Sequence, residues 1–213
     1  LRRALIISAI VVGLAGLAIG YVASIETIDV RVRQAMIAGA VVAAGWVITF
    51  LLQEYRFYRE RRERMNDVQK ALYAEIRAYL EGQLKRDDLQ VYGSEMVARM
   101  RDAADEGVDY VPLIPTETND MIFKAIVPEI HILPRISIDP VVVYYSQISA
   151  IHAIIHDLRS EAYQALHVDR RIAMYQDYIS LKQEAITLGE DALKVMERVS
   201  RYGARKAERS DRA

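Results

Sequence analysis

Two uncharged apolar runs open the chain, Ala4 to Ala23 with 20 residues and Ala35 to Gln53 with 19. At 1.5 Å rise per residue, each predicts a helix about 28–30 Å long, the thickness of a bilayer's hydrocarbon core. From Met65 the pattern becomes one-sided. Met65, Val68, Leu72, Ile76, Tyr79 and Leu80 recur at three- and four-residue steps, so the second run continues into an amphipathic stalk helix over 54–86. A shorter helix is expected from Ser94, as cap, to Glu106, with Gly107 as its stop. All five prolines fall between Pro112 and Pro140. They rule out one long helix there, yet the apolar content of 111–140 is too high for a floppy linker. An ordered, extended segment with a short helix near 119–126 follows.

Asp139-Pro140 reads as an N-cap followed by proline at the first helical position, opening a long helix to about 166. Its apolar face is Val141, Tyr144, Ile148, Ile151, Ile155, Leu158 and Ala162. Asp169 then caps a final helix over 170–201 with two apolar stripes. One runs through Ile172, Tyr175, Ile179, Ile186, Leu193 and Met196, interrupted by Lys182 and Gly189; the other is Tyr178, Leu181, Ala185, Leu188, Ala192, Val195 and Val199. The predicted fold is an all-α membrane protein. A two-helix transmembrane hairpin (1–53) precedes the stalk and a cytoplasmic helical bundle (87–201), which includes the proline-rich segment; 202–213 is a polar tail.

The arginines set the orientation. Arg2 and Arg3 precede the first run and Arg56, Arg59, Arg61, Arg62 and Arg64 follow the second, against Arg31 and Arg33 in the connecting loop. The positive-inside rule places both termini in the cytoplasm, at the inner membrane of a bacterium. Cleavage after Ala23 would put bulky Tyr21 at the −3 position, so the first run reads as a retained helix rather than a signal peptide. The arginine cluster is a membrane-surface element, although interleaved glutamates weaken its pull on anionic lipid. Residues 65–213 carry 19 Lys/Arg against 24 Asp/Glu, which lacks the basic excess of a nucleic-acid binder. Cysteine is absent, which removes disulfides, thiol nucleophiles and cysteine-based metal sites.

Small residues mark both runs: Gly13, Gly16 and Gly20 in the first, Ala35, Gly39 and Ala43 in the second. Such faces let helices approach closely in lipid, either within the hairpin or between subunits. Candidate chemistry is sparse. His152 and His156, four apart, suit a transition metal, but no third ligand is designated and Ala153 stands where an H-E-x-x-H helix needs glutamate. Packing is the simpler role for both histidines. Tyr144, Tyr145, Tyr175 and Tyr178 fit either a helix core or a partner groove. Phosphate loops, nucleophile elbows and kinase motifs are missing, and no cofactor is implied.

The pattern Ile114-Pro115, Ile122-Phe123, Leu133-Pro134 and Val143-Tyr144-Tyr145, behind an N-terminal membrane helix, resembles uncharacterised bacterial and phage membrane-anchored helical proteins. The resemblance covers about 30 residues and implies no activity. The expected role is therefore structural rather than enzymatic: a membrane-anchored helical domain that self-assembles or docks a protein partner, in contact with membrane lipid. The alternatives are a pore-forming or channel-accessory subunit and, behind it, a metal-dependent enzyme using the two histidines.

Overall fold

The computed structural model describes residues 13, 16–17, 20, 29–83 and 86–203. Most of the first apolar run, Arg2 and Arg3, residues 21–28 of the approach to the second run, and 204–213 lie outside the described residues. Among the described residues every regular element is a helix. The chain divides into two compact units, 1–64 and 65–213.

Helix α1, Val30–Gly82, runs through the second apolar run and the stalk without a break. Asp29 caps it, its carboxylate accepting the Arg31 N–H at 2.9 Å. In the first unit none of its apolar side chains is buried: Val42, Trp46 and Phe50 are exposed, and Ile37, Ile48 and Leu51 are half-buried. In the second unit Leu72, Ile76 and Tyr79 are buried, with Val68 and Leu80 packed beside them. The one-sided stripe over 65–80 is therefore this unit's contribution to a core.

Helix α2 spans Arg86–Asp105 and begins eight residues before the expected cap at Ser94. Ser94 lies inside it, its hydroxyl donating to the Gln90 carbonyl at 2.6 Å. Gly93 does not break the helix; a Cβ there would lie 3.0 Å from Ile179, so the glycine permits close packing on the final helix. The end of α2 is as expected. Gly107 takes φ 72°, and the Val108 and Gly107 N–H groups bond back to Ala103 and Ala104 at 2.8 and 3.1 Å, a Schellman closure.

Residues 108–120 are irregular, α3 spans Met121–Ile126, and a 3₁₀ stretch covers Val127–Ile132. Helix α4, Arg135–Leu158, starts five residues before the expected opening at Pro140. Pro134, at φ −55° and ψ 135°, occupies the cap position, and the Ser137 N–H closes the first turn on its carbonyl at 2.8 Å. Pro140 lies inside α4, where its missing N–H leaves the Ile136 carbonyl without its usual donor. The buried face of α4 is Ser137, Val141, Tyr144, Tyr145, Ile148, Ile151, Ile155 and Leu158. Ala162 is exposed in α5, Glu161–Gln164, a single turn capped by the Ser160 hydroxyl.

Helix α6, Val168–Tyr202, has His167 at its cap position, while Asp169 lies in the first turn, 3.2 Å from His167 Nδ1. Asp169 is thus a charge at the positive end of the helix rather than its cap. Both apparent interruptions of the apolar stripe are buried in the row Tyr175, Lys182, Gly189 and Met196. A Cβ on Gly189 would lie 3.0 Å from the Tyr144 ring and 3.1 Å from Leu80, so glycine lets α1, α4 and α6 converge there. Side chains tie the elements further. Gln69 donates to the Met196 carbonyl at 2.8 Å, Tyr73 to Glu197 at 2.7 Å, and Gln147 to the Leu181 carbonyl at 3.1 Å.

Among the described residues, two helices are long and apolar enough to cross a membrane, α1 and α4. They differ in environment: the apolar window of α1 has no buried residue, whereas α4 turns a buried face into the bundle.

Candidate functional site

Two places concentrate unusual residues, and they are of opposite kinds. The first is the outer surface of α1. Trp46 is 82% exposed, with Val42, Phe50, Phe57 and Tyr58 likewise open. Thr49 satisfies its hydroxyl within the helix by donating to the Gly45 carbonyl at 2.8 Å. Added Cβ atoms at Gly16, Gly20 and Gly39 would meet nothing within 4 Å. The small-residue faces are therefore unfilled by described parts of the chain. Immediately after the apolar stretch come Arg56, Arg59, Arg61, Arg62 and Arg64, all exposed. Arg59 pairs with Glu63 at 2.8 Å.

The second place is a polar network inside the bundle, where the irregular segment meets α1, α4 and α6. Lys182 Nζ lies 2.6 Å from Glu117 Oε1, with both side chains about nine-tenths buried, and 5.4 Å above the Tyr178 ring. The Tyr79 hydroxyl donates to the other Glu117 oxygen at 3.4 Å. Glu75, from α1, accepts the backbone N–H groups of Ile122 and Phe123 at 2.7 and 3.1 Å, supplying the cap that α3 lacks locally. It also accepts the Tyr145 hydroxyl at 2.6 Å, and the Tyr145 ring stacks on Phe123 at 3.9 Å. Asp120 meets Lys124 at 2.9 Å and His152 at 3.6 Å, and Asp109 meets the buried Arg171 at 2.6 Å. Acids at 109, 117 and 120 thus fasten the irregular segment to bases on α4 and α6.

No protein-family model, curated protein or solved structure matches this chain.

Burial pushes the phenols of Tyr79, Tyr144, Tyr145, Tyr175 and Tyr178 far above the usual tyrosine range, and Glu75, accepting from Tyr145, adds to the rise there. These phenols are therefore protonated near neutral pH. Tyr144, Tyr145, Tyr175 and Tyr178 are buried on the inward rows of α4 and α6, the core placement that was one of the two expected for them. Tyr144 meets Tyr79 and Tyr145 edge to face, while Tyr175 packs against Tyr178.

His152 faces Asp120, whereas His156 is exposed one turn on; among the described residues no three His, Asp or Glu side chains converge to hold a metal. Glu75, Glu117 and Asp120 escape a reading of the sequence. Lys182 leaves one signal, a charge in the buried row of a seven-residue register.

Proposed function

We propose that this chain is a membrane-anchored structural protein, which fixes a cytoplasmic helical bundle to the inner face of a bacterial membrane for self-assembly or docking of a protein partner. The observation that carries this reading is the double character of α1. One unbroken helix is apolar with no buried residue over its first part, Trp46 and Phe50 among its exposed side chains, then buried in the bundle core at Leu72, Ile76 and Tyr79. Exposed apolar surface of that extent marks an interaction with lipid or protein. Its length matches a bilayer core, its one hydroxyl is satisfied internally, and arginines follow at its end. The first run would complete a hairpin with both termini cytoplasmic. The open glycine faces favour association with other membrane helices.

The chain's lack of cysteine makes the test direct, because any introduced thiol is the only one. Val30→Cys and Ala104→Cys change exposed side chains. In intact cells a membrane-impermeant maleimide should label Val30→Cys, and should reach Ala104→Cys only after permeabilisation. The full-length protein should also stay in the pellet after alkaline carbonate extraction. Release into the supernatant, or labelling of both positions from outside, would overturn the topology.

A further inference from the structure

The arginines after the apolar part of α1 are not equivalent. Arg59 is committed to Glu63 at 2.8 Å, and Arg64 has an interaction of its own. Arg56, Arg61 and Arg62 are exposed and have no ion-pair partner among the described residues. At about 100° per residue they point to three sides of the helix, separated by roughly 100–140°. They span about 9 Å along the axis, little more than the headgroup depth of one leaflet. Exposed Phe57 and Tyr58 lie between them, as amphipathic rings do at that level.

We propose that Arg56, Arg61 and Arg62 form a collar that binds anionic phospholipid headgroups around α1. The inference rests on the membrane-anchor reading and adds to it a lipid class and the residues that select it. Charges spread around the whole circumference suit a surrounding layer of headgroups; an acidic protein partner would call for charges on one side. The guanidinium fork matches phosphate oxygens bidentately. Residues 54–64 hold five arginines and three glutamates, so the collar remains net positive. Because the three arginines face different ways, each lipid meets one of them. The preference for anionic over zwitterionic lipid is then about fivefold, the contribution of one basic residue near the surface.

Trp46 is the only tryptophan and lies about 15 Å before Arg56 on the same helix, within reach of the acyl chains of lipids held there. The full-length protein is reconstituted in phosphatidylcholine vesicles doped with phosphatidylcholine or phosphatidylglycerol carrying brominated acyl chains. Brominated phosphatidylglycerol should quench Trp46 with an apparent relative binding constant of about five. That preference should fall toward one in ~1 M salt, where the Debye length is about 3 Å. It should also vanish in the Arg56→Gln/Arg61→Gln/Arg62→Gln variant and survive Arg59→Gln. Glu63→Gln, which releases Arg59, should increase it. Equal quenching of the wild type by both lipids, or a preference retained in the triple variant, overturns the collar. Failure of both brominated lipids to quench Trp46 overturns the membrane reading instead. Quenching by brominated phosphatidylcholine shows that a variant is inserted, and Glu63→Gln tests the collar by a gain rather than a loss.

Discussion

The Lys182–Glu117 pair sets up a sharp test of how the bundle is fastened. At 2.6 Å and an effective dielectric constant near 20, the attraction is roughly 6 kcal/mol gross. Withdrawing each ion from water costs several kcal/mol, so the pair as a whole contributes little net stability. Breaking it is another matter. Lys182→Met keeps the aliphatic stem but leaves the Glu117 carboxylate buried, with the Tyr79 hydroxyl at 3.4 Å as its remaining partner. Glu117→Leu strands the ammonium over the Tyr178 ring. Each single variant should lose about 3–5 kcal/mol, whereas the double variant Lys182→Met/Glu117→Leu should lie within ~1 kcal/mol of the wild type or above it.

Thermal unfolding of the full chain in mild detergent, followed by circular dichroism at 222 nm, reads this out. At about 2–4 °C per kcal/mol for folded units of this size, the singles should melt roughly 6–20 °C lower. The reasoning fails if a single variant loses less than about 1 kcal/mol, because the charges would then be hydrated. It fails equally if the double variant loses the sum of both singles, since that would mean packing, not charge pairing, is what the two side chains provide.

Three further outcomes follow from the same interior. Glu75→Ala removes the acceptor for two α3 amides and Tyr145; it should cost about 2–3 kcal/mol, and amide exchange at Ile122 and Phe123 should accelerate while that of α6 holds. Unchanged exchange at those two amides would mean that Glu75 does not cap α3. Gly189→Ala gains about 1 kcal/mol of helix propensity but drives a methyl group to 3.0 Å from the Tyr144 ring, so overpacking of about 1–3 kcal/mol should leave a net loss; a higher melting temperature would refute the close approach. Alkaline pH should unfold the bundle. The phenols of Tyr79, Tyr144, Tyr145, Tyr175 and Tyr178 have folded pKa values raised above the unfolded value near 10. Above pH 10 the unfolded chain therefore binds fewer protons than the folded one. Their effect is constant below that pH, and stability falls as pH rises through it, by up to about 1.4 kcal/mol per tyrosine per pH unit. Absorbance at 295 nm should show gradual ionisation of exposed tyrosines such as Tyr58 and Tyr202, then a cooperative step for these five coincident with loss of helix; ionisation of all thirteen in a still-folded protein would contradict their burial.

What could be read in the sequence was whatever a helical period reports. The rows Leu72–Ile76–Tyr79 and Val141–Tyr144–Ile148–Ile151–Ile155–Leu158 are buried at the expected positions, because one apolar face per helix determines which side turns inward. The two parts of α1 also differ in pattern, apolar all round before Gln53 and one-sided after Met65, and that difference matches exposed against buried surroundings. Helix starts fared worse, for a local reason. Asp139-Pro140 has the chemistry of a cap and first position, but Pro134 takes the cap position five residues earlier, where its carbonyl accepts the Ser137 N–H.

The polar network was illegible for a different reason. Glu75 sits in a charged stretch of α1 like any solvated glutamate, and the amides it caps lie 47 and 48 residues away. Lys182 finds its acid 65 residues away, on a segment with no regular structure. Periodicity tells which side chains leave water, not which buried charge meets which. Lys182 shows where the two kinds of information touch: a lysine in the row Tyr175–Lys182–Gly189–Met196 either breaks the core or has a counter-ion inside it. A continuous helix across that row already favours the second, because an unpaired buried ammonium would cost more than this row's packing returns.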